Sequence, residues 1–400
     1  VLFQKPIYFI VGFDLYIHEI ISVLTILFTM PILFFYFNKN RNKSIEFSII
    51  LFIGVSILSS LLNSYSSVFQ STLGVFYLLK APLFIYVIIK LGITKKIINL
   101  TFKILLYYSL CSVVFQFLQI IVPNISILTS GFIESGTAHS NFSRASGLLG
   151  SANQTAQLYI VTYLVSRILG RKMISLVHLF LFLGILLTVS NLGVIVFGIV
   201  LTLEIVFVQR KVFLLIPVSF ILLIVIFSYG QSFLFRFGQM YDLIIINQTY
   251  FRIEAYKQML LILSNYPYFG LGPGYYGGSV AAIFGSEYHN EYHTFDYFYN
   301  SINKPKTLDA FFPHLISEIG LLGTLVYLNI YNKFFKLLNF HKNMKGRENF
   351  ILLKILILIF LFSGISMLII ENEFGSIFTM LIGMAFLKSH ENIDKRITNA

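Results

Sequence analysis

Two ionisable residues stand one helical turn apart in FFPHLISEIGLLG, residues 311–323: His314 and Glu318. At i and i+4 they share one helix face. An ionisable group inside a span costs several kcal/mol unless it meets a partner or a wet cavity. The pair can therefore do acid–base work, with His314 as base and Glu318 orienting its imidazole. The competing reading is an interfacial histidine beside a snorkelling glutamate. Pro313 suits a first helical position, so the sequence predicts that His314 lies in the opening turn of a span.

Other cations join the list. Arg144 lies in SRASGLLGSANQTAQ and Arg252 opens YFRIEAYKQMLLILSNY. Each is either a surface anchor or half of a clamp on a diphosphate, whose oxygens match the guanidinium fork. Lys80, in FYLLKAPLF, falls about two turns inside a span and either snorkels or lines the same anionic cavity. YFGLGPGYYGG, 268–278, holds Gly272, Gly274 and Tyr275 in a run of turn-forming glycines. Its N–H groups either make a nest for phosphate or only close tight turns. His289 and His293 have i,i+4 spacing but no third ligand in sequence, so no metal is expected.

The elements that position these residues are membrane spans. The chain is 57% hydrophobic and 12% charged, with a mean hydropathy of +0.81. Soluble domains carry about 25% charged residues. Its 43 Phe and 24 Tyr, with no Trp, suit lipid and its interfaces. The formal charge of +12 fits basic cytoplasmic loops better than nucleic acid, which is discarded as a partner. Cys111 is the only cysteine, which excludes an intrachain disulfide and a cysteine zinc site. The opening VLFQ, 1–4, looks like the remains of an engineered protease site and is set aside.

Spans of roughly 20 apolar residues are expected near 15–37, 45–62, 72–93, 97–122, 153–170, 174–190, 192–208, 212–229, 313–335, 350–370 and 374–387. The fold class expected is an all-α polytopic membrane protein of about 11–12 helices, one integral domain over 5–400. Every second connection is basic: Lys39, Arg41 and Lys43; Lys95 and Lys96; Arg171 and Lys172; Arg210 and Lys211; Lys336, Lys342, Lys345 and Arg347; then the tail 388–400. Those connections read as cytoplasmic. The opposite side carries two long connections, 123–152 and 230–312, periplasmic in a bacterium. Within the second, Ile253, Tyr256, Leu260 and Leu263 predict an amphipathic helix lying on the membrane. No internal repeat or soluble domain is evident.

Three blocks carry a resemblance. RASGLLGSANQTA resembles the arginine–glycine block of the bacterial O-antigen polymerase (Wzy) and O-antigen ligase superfamily, which ends in an asparagine, here Asn153. RIEAYKQMLLILSNYPYFGLGPGYY resembles its arginine helix and glycine-rich turn, and FFPHLISEIGLLG its histidine–glutamate–glycine block. LLTVSNLGVIV resembles a fourth, with Asn191 where many relatives carry arginine. The resemblance implies a membrane-embedded class C glycosyltransferase fold and metal-independent, cofactor-free glycan transfer from undecaprenyl diphosphate at the periplasmic face. It implies Arg144, Arg252 and His314 as catalytic positions. Lys80, Glu318, Asn153, Gly272, Gly274 and Tyr275 are then the candidates for substrate contact. The lipid bilayer, the lipid-linked donor and acceptor, and a chain-length regulator protein are the implied partners. Ligation to lipid A-core, or lipid-linked sugar transport without chemistry, are the alternatives.

Overall fold

The computed structural model describes residues 43–62, 67–122, 145–149, 151–173, 175–188, 190–211, 213, 251–285, 310–339, 347–366 and 373–398. Among the described residues the only regular structure is helical. In order these are α1 (Lys43–Leu62), α2 (Val68–Leu91), α3 (Lys95–Ile121), a 3₁₀ turn (Gly147–Leu149), α4 (Ala152–Ile168), α5 (Leu176–Leu187) and α6 (Asn191–Leu203), which runs into a π turn (Glu204–Gln209). Then come α7 (Phe251–Asn265), α8 (Ser279–Phe284), α9 (Phe311–Asn339), α10 (Arg347–Ser366) and α11 (Glu373–Thr398). Segments Ser44–Leu62, Val68–Leu91, Lys95–Ile121, Leu192–Gln209 and Phe311–Leu338 are long and apolar enough to cross a membrane. The expected span 15–37 lies outside the described residues, as does 212–229 apart from Phe213.

The packing is that of a helical membrane protein. In α1 the inward stripe is mixed, Ile45, Ile49, Phe52, Ser56 and Ser59, while Phe47, Ile50, Ile57, Leu58 and Leu61 point outward. An outer surface this apolar belongs in lipid, and the small inward serines let neighbouring backbones approach. Ser67 caps α2, accepting from the Gln70 N–H at 3.2 Å, and Gly92 ends that helix in the left-handed conformation. The central helix α4 is buried over most of its length, from Thr155 to Ile168.

Side-chain pairs bring the basic helix ends together. Lys90 at the end of α2 pairs with Glu46 at the start of α1, 2.9 Å. Arg167 at the end of α4 pairs with Glu204 at the end of α6, 2.5 Å. Lys388 of α11 donates to Asn99, near the start of α3, at 3.1 Å. Helices α3 and α4 run antiparallel, with Ser109 on Thr162 (2.7 Å) and Tyr159 on Ser112 (3.0 Å). Helix α9 runs antiparallel to α1, with Asn329 donating to Ser48 at 3.1 Å and Ser59 donating to the Glu318 carbonyl at 3.1 Å. The turn at 267–278 and the segment 145–149 therefore share the end opposite the basic one.

The helix expected over 313–335 forms as α9, with a break inside it. Gly320 interrupts α9 with φ 65 and ψ −171, a backbone essentially only glycine adopts. The rings of Phe311 and Tyr327 lie 5.7 Å apart. On a straight helix about 24 Å would separate those positions. The arm 311–319 thus folds back toward 321–339. Helix breaks usually strand carbonyls on one side and N–H groups on the other. Here residues 267–272 supply partners for both. Leu271 and Gly272 N–H donate to the Ser317 and Glu318 carbonyls at 2.9 and 2.8 Å. Leu321 and Leu322 N–H donate to the Pro267 and Tyr268 carbonyls at 3.1 and 3.2 Å.

The helix predicted after residue 250 is present as α7, and Leu260 of its expected membrane-facing stripe points outward. Ala255, Met259 and Ile262 are buried, whereas Leu260 is 61% exposed. In lipid the large apolar residues can face outward, and a small residue such as Ala255 allows close packing inside.

Candidate functional site

The site is built on the short arm of α9 and the glycine turn. His314 and Glu318 are 2% and 0% exposed. The Glu318 carboxylate accepts the Gly274 N–H on Oε2 at 2.7 Å and the Tyr276 N–H on Oε1 at 2.8 Å. His314 Nδ1 lies 3.3 Å from Glu318 Oε1 and bonds the Tyr276 carbonyl. A carbonyl can only accept, so Nδ1 carries the proton and the lone pair of a neutral ring sits on Nε2. Phe311 meets the imidazole edge-on at 6.1 Å between ring centres.

Neighbouring elements hold the turn in place. Gln70 of α2 donates its amide to the carbonyls of Gly274 and Gly285, at 2.8 and 2.9 Å. Gly74, one turn further along α2, lies so near the turn that a Cβ there would sit 2.5 Å from the Pro273 carbonyl carbon. Gly274 needs its positive φ of 85, and a Cβ on it would lie 2.7 Å from the Gln70 carbonyl oxygen. The Tyr275 hydroxyl accepts the Ser67 N–H at the start of α2. On the far side the Tyr276 hydroxyl donates to the Ala255 carbonyl at 3.3 Å. Ala255 is one turn along α7 from Arg252, so the first turn of that helix adjoins the residue that holds His314.

The predicted residues divide accordingly. His314, Glu318, Gly272, Gly274 and Tyr275 come together. Several of them turn inward rather than toward a ligand. The expected phosphate nest is filled by the protein's own Glu318, which takes the Gly274 N–H. The Gly272 N–H serves the helix break, and Tyr275 secures α2. Glu318, expected to touch substrate, is enclosed by these donors. Lys80 is buried in α2, with Nζ 5.8 Å from the centre of the Tyr77 ring. It stands six residues, about 9 Å, along the helix from Gly74, which meets the turn. Asn153, in the first turn of α4, accepts from the Ser190 hydroxyl at 2.7 Å, tying α4 to the cap of α6. Arg144, His289, His293 and the Arg252 side chain lie outside the described residues. Asn191 is the first residue of α6.

Segment 145–149, which follows Arg144, is bolted to α3. Gln116 donates to the Ala145 carbonyl at 3.1 Å, Gln119 accepts the Gly147 N–H at 2.9 Å, and Ser112 accepts the Leu148 N–H at 3.2 Å. Together with Ser109 these polar residues form one stripe of α3. Sequence reading missed this stripe, although its i, i+3, i+7, i+10 spacing was visible. Gln70 and Tyr276 were missed too, because their partners lie far away in sequence.

No protein-family model matches the chain, and no curated protein matches it.

Proposed function

We propose that this chain is a membrane glycosyltransferase that polymerises a polysaccharide. The donor is a growing glycan on undecaprenyl diphosphate, and the acceptor is a sugar hydroxyl of a second lipid-linked repeat unit. The observation that carries this reading is the fixed imidazole. His314 is held at Nδ1 by a backbone carbonyl on a rigid turn, beside the first turn of the helix that opens with Arg252.

In this reading His314 takes the acceptor proton at Nε2 as the acceptor oxygen bonds the anomeric carbon. The bond from that carbon to the diphosphate oxygen breaks. Arg144 and Arg252 stabilise the charge that develops on the leaving diphosphate. A single displacement inverts the anomeric centre. No cofactor is required, because the diphosphate is already a good leaving group. In this reading the basic end of the bundle is cytoplasmic, as the positive-inside rule expects, and the glycine turn lies at the periplasmic face of a bacterial inner membrane.

The broken helix bears on the transport alternative. Transporters use the open backbone groups of discontinuous helices to bind substrate. Here those of Ser317, Glu318, Leu321 and Leu322 are paired with residues 267–272, which favours chemistry over translocation. The test is to incubate purified protein with lipid-linked repeat units and no other acceptor. A ladder of lengthened products is expected; unchanged units would overturn the polymerase reading.

A further inference from the structure

Tyr276 is gripped at both of its backbone groups by one short arm of helix. Its N–H donates to Glu318, and its carbonyl accepts from His314. We infer that Glu318 is a positioning residue, the resident anion of the glycine turn, and that it sets the place and tautomer of the His314 imidazole through Tyr276 without touching substrate. The inference deepens the catalytic reading of His314 and rests on it only for its effect on turnover.

Three observations carry it. First, backbone N–H groups that converge in a turn form an anion site. Its occupant is a carboxylate from the protein, at 2.7 Å from the Gly274 nitrogen and 2.8 Å from the Tyr276 nitrogen. Hydrogen bonds to a carboxylate are stronger than those to a neutral acceptor, so Glu318 pins the turn from below while Gln70 pins it from α2. Second, Glu318 Oε1 also lies 3.3 Å from His314 Nδ1. The same oxygen therefore faces both the Tyr276 N–H and the imidazole N–H, and favours the tautomer that leaves the lone pair on Nε2. Third, the Nδ1–Cε1–Nε2 part of the ring lies against Gly278. A Cβ there would fall 2.6 Å from Nε2 and 3.1 Å from Nδ1. Gly278 has φ −82 and ψ 176, a backbone any residue adopts. The missing side chain is thus needed for the imidazole and not for the chain path.

A glutamine at 318 keeps the shape but has one acceptor oxygen. Its NH₂ would meet the Gly274 or the Tyr276 N–H, donor against donor. The turn then releases the Tyr276 carbonyl, and the imidazole loses its fixed partner.

The test uses the full chain in detergent or nanodiscs, with Glu318→Gln, Gly278→Ala and Gly278→Ala/His314→Ala. The ¹⁵N signals of the His314 ring, assigned as those lost in His314→Gln, should show a protonated Nδ1 in the starting protein. They should shift toward mixed tautomers in Glu318→Gln. Turnover of lipid-linked units should fall about tenfold to a hundredfold in Glu318→Gln, with the KM for donor within about twofold. Gly278→Ala should lower the thermal midpoint when His314 is present and leave it unchanged when His314 is alanine. An unchanged ¹⁵N pattern in Glu318→Gln, or a raised KM with normal kcat, overturns the inference. So does an equal thermal cost of Gly278→Ala in both backgrounds. If the starting protein turns nothing over, the catalytic reading of His314 fails, while the ring signals and the thermal comparison still decide whether Glu318 seats it.

Discussion

Gly270 and Gly320 cross with no room for a side chain on either. A Cβ on Gly270 would lie 2.5 Å from the Ser317 oxygen, and one on Gly320 would lie 2.5 Å from the Phe269 nitrogen. Both residues also have φ near +65. The obstacles are backbone, which cannot swing aside. Gly320→Ala should therefore cost on the order of 3 kcal/mol, seen as a large drop in thermal midpoint. Gly54→Ala, where an added Cβ meets nothing within 4 Å, should be close to neutral. Equal midpoints for the two variants would contradict the crossing.

The folded-back arm makes a second prediction. With Cys111 replaced by alanine, Phe311→Cys and Tyr327→Cys should be joined by a short bismaleimide. The rings they replace lie 5.7 Å apart. A straight span would hold them about 24 Å apart and give no product.

What the sequence disclosed here was periodic and local. The i,i+4 face of His314 and Glu318 was readable, as were the apolar runs and the alternation of basic loops. The break at Gly320 was not, because glycine is common in membrane helices and only the partners at 267–272 make the break affordable. The residues of α7 that pack inside were not legible either. A stripe of large apolar residues marks the core side in water, but Leu260 faces outward here while Ala255 packs inside. Glu318 was read as serving the imidazole or a substrate. Its main donors, Gly274 and Tyr276, are more than forty positions away and leave no mark in the local pattern.

Burial makes the Arg167–Glu204 pair sensitive to one-sided change. Glu204 accepts from Arg167 Nε and from the Tyr163 hydroxyl, both at 2.5 Å, and is fully buried. Arg167→Met leaves that carboxylate without its cation and should cost about 3–5 kcal/mol. Arg167→Met/Glu204→Leu should recover most of the loss. A double variant as unstable as the single one would count against an electrostatic origin.

Orientation can be read by labelling intact cells with an impermeant maleimide. Ile283→Cys should react and Lys336→Cys should not, since the first is exposed beside the glycine turn and the second lies at the basic end. The reverse pattern would place the turn in the cytoplasm.

Arg144→Ala and Arg252→Ala should each reduce polymer at normal protein levels in the membrane. Lysine at either position should restore little, because it offers a point charge in place of a planar fork. Wild-type polymer from both alanine variants would remove the diphosphate clamp.

The most direct measurement is turnover of lipid-linked repeat units by His314→Gln, with donor binding followed in parallel. Glutamine can hydrogen-bond but cannot accept a proton at neutral pH. General-base help is typically worth 10²–10⁴-fold, so turnover should fall by about that factor while donor binding persists. Near-normal turnover in this variant would contradict proton abstraction by His314.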